Sequence, residues 1–374
     1  MAATLALVSV PVSAGAVTFK TIYNFTGQAD SLQPGGSLYV HDGKIYGATL
    51  GTFAMAHFTC KNTGCGNAFE FDVKTSTMRV MHTFSENANG YFPQTGLIPY
   101  GTRFYGIDFT GIYSYGAMFS IDRSTGAERT VYDMAPADAS VAWYPPVLYK
   151  GTFYVTASDG GSGSGTLFKI DPSTGKHTIL YGFSGGEDGF YPLETPVVVN
   201  GKLYGTTVYG GMGNCGVLFE YDLAKGRFKV VHDFTGGKDG KWPSGSFIVD
   251  KGIIYGAMAN GGIGFGALFK FDPATHRFTV LHAFNGGTEG YGPGPVALSG
   301  GKFYVSSYGG GIDQWGTVVQ IDEATGKTVV VHSFTGESDG IWPGTLVASG
   351  GRIYGLTQTE YPFVYNGTLF EITP

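Results

Sequence analysis

Residues 201–243 read GKLYGTTVYGGMGNCGVLFEYDLAKGRFKVVHDFTGGKDGKWP. Three runs of alternating apolar and polar residues are separated by glycine-rich turns, and a loop carrying Asp-Gly then leads to a proline. Period-two alternation is the mark of half-buried strands, and Gly, Asn and Asp between such runs supply turn chemistry. The stretch recurs about every 50 residues along the chain, and a fixed period of that length means units that bury their apolar faces by stacking on one another.

Four anchors fix the register of the copies. An apolar-tyrosine pair follows a turn at Ile45-Tyr46, Phe104-Tyr105, Phe153-Tyr154, Leu203-Tyr204, Ile254-Tyr255, Phe303-Tyr304 and Ile353-Tyr354. A glycine precedes the next strand at Gly66, Gly116, Gly165, Gly216, Gly266, Gly316 and Gly367. An aspartate closes that strand at Asp72, Asp122, Asp171, Asp222, Asp272 and Asp322, with Thr373 in the last copy. A proline completes each copy: Pro34, Pro93, Pro145, Pro192, Pro243, Pro293 and Pro343.

Within one unit, residues 246–249, 253–258, 267–271 and 277–284 read as four antiparallel strands. Four-stranded units repeated radially make a β-propeller, here all-β with seven blades. The last copy stops after three strands, whereas residues 17–25 match the fourth-strand pattern of residues 228–234. The N-terminal segment is therefore expected to complete the last blade and close the ring, which removes the open sheet edges.

The sequence has 374 residues, 62 of them glycine, a net charge of -6 and 43% hydrophobic content. The glycines fall in register, so they read as tight turns between buried strands rather than as disorder. Mild acidity without basic runs argues against a nucleic-acid partner. Residues 1–16, MAATLALVSVPVSAGA, match the apolar core and small-residue cleavage site of a secretory signal that lacks its positive start, with residues 17–374 as the propeller. No later stretch is long and apolar enough to span a bilayer, so a secreted or periplasmic monomer is expected. In that setting Cys60 and Cys65, which flank a four-residue gap, are expected to form a disulfide; Cys215 reads as a small buried residue.

The run LYGTT…GG…G…LF..D followed by H.F.G..DG..P resembles the bacterial Gloeobacter/Verrucomicrobia tandem repeats over nearly all of residues 17–374, most clearly at 201–243, 252–293 and 301–343. The period and glycine pairs are more distantly similar to kelch propellers. The resemblance implies a secreted or surface repeat protein and carries no activity over.

In a propeller the fourth-to-first and second-to-third strand loops share one face around the channel mouth, and rigid scaffolds place ligand-binding groups on such loops. That face carries Trp143, Tyr144, Tyr209, Trp242, Trp315 and Trp342, apolar platforms on which sugar rings stack, with Lys238 beside them. An acid stands four before the proline at Asp30, Asp188, Asp239, Glu289 and Asp339, either as a turn former or as a ligand-binding ring at the channel mouth; such a ring would hold a calcium ion through oxygen ligands. No other metal or cofactor is expected. His82, His232, His282 and His332 recur in the fourth strand and read as structural. Departures from the repeat point to function, because packing explains what recurs: the long loop at 50–66, the insertion at 135–144 and the loop at 358–366. His57, Asp108, Asp159, Asp313 and Glu360 are the unshared candidates for acid–base chemistry.

Three functions stay open on this sequence. The first is recognition of a polysaccharide or oligosaccharide at the channel mouth. The second is a polysaccharide lyase or glycoside hydrolase on the same face. The third is an extracellular protein-interaction scaffold.

Overall fold

Successive residues of a strand face opposite sides of its sheet, so an apolar-tyrosine pair sends one side chain to each neighbouring blade. Leu203 packs with Tyr154 of the blade before it, while Tyr204 packs with Ile254 of the blade after it. The same handover continues through Tyr255 with Phe303, Tyr304 with Ile353, and Tyr354 with Ile45. It returns through Tyr46 with Phe104 and Tyr105 with Phe153. The core is thus a closed circuit of inter-blade layers, which is why every copy needs the pair.

The structure, a computed structural model, describes residues 17–31, 33–51, 65–85, 92–93, 95–109, 115–135, 142–161, 163–358 and 366–374. Among them the strands form seven four-stranded antiparallel sheets. In blade four the strands are Val197–Val199, Lys202–Thr206, Val217–Asp222 and Arg227–Asp233, in that spatial order. The third strand is buried on both sides except at its closing aspartate, and the fourth alternates with solvent. Ring closure follows the sequence expectation: Thr18–Asn24 pairs antiparallel with Thr368–Thr373 and completes blade seven. The aspartates that close the third strands cap the next turn, as when Asp122 Oδ1 accepts the N–H groups of Ser124 and Thr125, each at 3.0 Å.

Two features depart from the repeat as read from the sequence. In blades one, five, six and seven the innermost strand is long and bulged, as in Pro34–His41, Lys241–Asp250, Tyr291–Ser299 and Ile341–Ser349. Blades two to four have innermost strands of only three residues, Ile98–Tyr100, Val147–Tyr149 and Val197–Val199. Trp242 and Trp342 consequently lie at the start of strands, where loops were expected.

The second departure concerns Pro145. Ile98 pairs with Tyr105, Val147 with Tyr154 and Val197 with Tyr204, and Pro93 and Pro192 stand five residues before their strands. Five before Val147 is Ala142, so Ala142 takes the repeated proline's place and Pro145 lies three residues beyond it. A Cβ built on Gly66, Gly165, Gly266, Gly316 or Gly367 would strike the ring of the repeated proline, while the nearest groups to one on Gly116 or Gly216 include no proline. Residues 1–16, Cys60, His57 and Glu360 lie outside the described residues, and with them the expected signal segment and the partner of Cys65.

Candidate site at the channel mouth

The innermost strands converge on the axis, and a cavity of about 430 Å³ opens among them. Blade one lines it with residues 33–37, blade five with Ser246, blade six with Pro295, and blade seven with Gly344 and Thr345. Trp143, Tyr144 and Pro145 form its wall on the blade-three side. Leu50, Leu356 and Gln358, at the ends of second strands, place it on the face chosen from the sequence. Its volume falls within the roughly 300–1,000 Å³ of small-molecule sites.

Trp143 and Tyr144 are brought into this cavity by the register shift around Ala142. Trp143 remains 41% exposed, its ring centroid 5.8 Å from that of Phe109, so part of the indole is open to a ligand. The polar side chains among the lining residues are the amides of Gln33 and Gln358, the hydroxyls of Ser37, Ser246 and Thr345, and Tyr144. Among the described residues that line it there is no Asp, Glu, His, Lys or Arg. The chemistry on offer is hydrogen bonding to neutral groups beside an aromatic wall.

Behind the wall sits a buried acid. Thr95, Tyr144, Glu194 and Gly245 occupy one position in blades two to five, three residues before the paired strand segment. Glu194 is 3% exposed, and its Oε2 has no hydrogen-bond partner. Burial raises its carboxyl well above the ordinary range, opposed only by the Gly245 N–H. The Glu194 charge, with burial, in turn pushes the Tyr144 phenol upward.

The acids before the repeated proline are tied to their own loops. Asp188 accepts from the Tyr181 hydroxyl at 2.8 Å, the Ser184 N–H at 2.9 Å and the Ser184 hydroxyl. Asp30 does the same with Tyr23 at 2.7 Å and with the N–H and hydroxyl of Thr26. In Asp239, Glu289 and Asp339 the donor seven residues upstream is His232, His282 or His332. The recurrent histidine is therefore interchangeable with tyrosine: both offer an aromatic body to the core and one donor to the loop. Burial pushes the Tyr181 phenol up to about 12, with the hydrogen bond to Asp188 adding to it. Among the described residues no group of three or more His, Cys, Asp or Glu is arranged to hold a metal ion.

The catalytic candidates are scattered. Asp108 is buried at the end of Arg103–Asp108 and accepts the Ala117 N–H at 3.2 Å. The hydroxyls of Thr49, Thr207 and Thr357 do the same for Asn67, Val217 and Thr368, so Asp108 stands in for the repeat's threonine. Asp159 is half-buried and Asp313 exposed, and neither lines the cavity.

The other aromatic candidates form two clusters on the same face. Tyr308 stacks on Trp342 at 5.0 Å, with Trp315 at 6.1 Å from Trp342. Phe190 stacks on Tyr209 at 5.2 Å, Tyr191 and Trp242 meet Tyr209 at 6.2 and 6.4 Å, and the Lys241 ammonium lies 4.4 Å from the Trp242 ring centre. Phe92, Tyr191, Trp242 and Trp342 all have positive φ, near +50 to +60°, directly before a proline. That strained conformation is held by a backbone bond to the neighbouring blade, as from Trp342 N–H to the Trp315 carbonyl at 2.9 Å.

Sequence reasoning missed Gln33, Ser37, Ser246, Thr345 and Glu194, and reached Gln358 only as the first residue of the loop at 358–366. Ser37 and Ser246 each stand three residues after the repeated proline, and Thr345 two after it, which is the one periodic signal that marks the channel lining.

Fold and site together define a seven-bladed β-propeller with a neutral, aromatic-walled cavity on its axis. The Gloeobacter/Verrucomicrobia repeat matches residues 109–300, just over half of the chain, and the protein belongs to that family. A search of curated proteins finds no match. Among solved structures it is similar to the GH74 enzyme of Niastella koreensis, with 13% identity, a TM-score of 0.62, and coverage of 94% of this chain and 53% of that one. It is similar to an oligogalacturonate lyase solved with manganese, at 11% identity and TM-score 0.59, covering 96% of each chain. It is also similar to the extracellular domain of BT4673 from B. thetaiotaomicron, at 15% identity and TM-score 0.59, covering 94% of this chain and 40% of that one. At such identities the likeness shows the fold. Among the described residues no helix is long and apolar enough to cross a membrane.

Proposed function

We propose that this protein is an exported β-propeller that binds a neutral oligosaccharide end in its axial cavity. One observation carries the proposal: a cavity of about 430 Å³ whose described lining joins the part-exposed Trp143 to amides and hydroxyls and holds no Asp, Glu, His, Lys or Arg. Sugars present apolar C–H faces that stack on indole and hydroxyls that pair with amides. Among the described lining residues there is no pair of carboxylates of the kind glycoside hydrolysis uses. The fold is one that carbohydrate-active proteins also use, and that analogy adds only weight, not assignment. Screening the purified protein against a panel of neutral oligosaccharides by glycan array, with calorimetry on the hits, tests the proposal. Binding that weakens in Trp143→Ala is expected, and no binding across the panel overturns it.

A further inference from the structure

Blade five departs from the repeat in charge. Directly before the looped acid, the chain has Ala29, Glu187, Thr288 and Ser338, but Lys238 in blade five. Directly before the strained aromatic it has Phe190 and Ile341 in blades four and seven, but Lys241 in blade five. Packing accounts for what recurs, so two cations that appear in one copy call for another cause. Asp239 lies between them in sequence, yet its oxygens are taken by His232, the Thr235 N–H and the Thr235 hydroxyl. Neither lysine pairs with a carboxylate among the described residues, whereas Lys44, Lys202, Lys225 and Lys251 do.

The geometry supplies a wall to match. From Phe190 and Tyr191 through Tyr209 to Trp242 the rings meet edge to face or stacked, and Tyr191 and Trp242 remain 37% and 36% exposed. The wall ends at the Lys241 ammonium, held over the indole face 4.4 Å from its centre. The other cluster, around Trp342, has Tyr308 and Trp315 and no cation in contact with its rings among the described residues. We propose that the blade-four to blade-five wall is a second subsite that takes an anionic sugar, its ring against Tyr191 and Tyr209 and its carboxylate or sulfate on Lys241 and Lys238. This rests on the glycan-binding assignment above and adds a charge preference to it.

The test compares affinities, by calorimetry at low salt, for a six-residue oligouronide, its carboxyl-reduced counterpart and a sulfated oligosaccharide of the same length. At least one anionic probe is expected to bind about tenfold more tightly than the neutral one, the scale of a charge-assisted hydrogen bond. The uronide and sulfate arms tell which anion is preferred. The Lys238→Met/Lys241→Met variant, folded by the criterion of unchanged thermal unfolding, is expected to lose that preference while keeping neutral binding. Equal affinity for charged and neutral probes, or a preference that survives the double substitution, overturns the subsite and leaves the glycan-binding assignment standing. Failure of all three probes to bind overturns the subsite, whereas the glycan-binding assignment stands or falls with the neutral panel above.

Discussion

His332, on the outer strand of blade six, places Nε2 2.9 Å from Oδ2 of Asp339 in the loop that leads into blade seven. Phe19 of the closing strand stacks flat on the same imidazole, ring centres 3.5 Å apart. One side chain thus links the outer edge of a blade, the N-terminal strand that completes the ring and a loop between blades six and seven. Asp339→Ala removes the loop's acceptor and leaves the Thr335 N–H and hydroxyl without their partner. A loss of about 1–3 kcal/mol is expected in urea unfolding.

The looped carboxylates give stability a defined acid limb. Burial alone would raise Asp30, Asp188 and Asp339, but the hydrogen bonds from Thr26 and Tyr23, from Ser184 and Tyr181, and from His332 and Thr335 outweigh it and hold all three below the ordinary value. The unfolded chain takes up these protons near pH 3.9, roughly the free aspartate value, before the folded one does. Their contribution is therefore complete above about pH 4 and lost as pH falls through the folded values. Unfolding free energy measured across that range is expected to fall on acidification, and to fall less in Asp188→Asn.

Glu194 acts in the opposite sense. Its folded-state value is raised, so the native state holds a proton that the unfolded chain releases above about pH 4.3. Its cost to stability is absent below that pH and grows as pH rises toward the folded value. Glu194→Gln keeps the shape and removes the titration. The variant is expected to unfold at a higher temperature than wild type at pH 7, by an amount equivalent to about 1–2 kcal/mol, with the gap closing near pH 4.

Gly316 has φ +97°, and a Cβ there would lie 2.6 Å from Pro343 Cδ and 2.5 Å from the Ser307 carbonyl oxygen. Gly316→Ala is expected to cost about 2 kcal/mol or more, read by denaturant midpoint. Gly326→Ala, at a positive φ with nothing within 4 Å of the added carbon, is expected to cost less.

The ring was legible because its demands repeat. Every blade needs an apolar residue for one neighbour and a tyrosine for the next, so Leu203-Tyr204 and its equivalents had to recur, and strand alternation turned the period into blades. The site was less legible for the same reason. Ala142 fills the proline slot in blade three, and only the pairing of Val147 with Tyr154 shows that Tyr144 and Glu194 are equivalents at the axis. Trp143 and Tyr144 stood out in sequence as aromatics in a broken copy, and Gln358 as the start of a departing loop, but Gln33 carries no periodic or chemical signal until the blades converge. Asp108 looked like an unshared acid because a carboxylate in a threonine's place is chemically conspicuous, although it makes the threonine's hydrogen bond.

The channel-mouth assignment is tested most directly by titrating a neutral oligosaccharide from the glycan screen into wild type and Trp143→Ala under identical conditions. Trp143 is part-exposed, and no strand pairing depends on its side chain. Loss of the indole is expected to weaken binding about tenfold or more while the thermal unfolding of the protein stays unchanged. Undiminished affinity in Trp143→Ala would contradict the assignment.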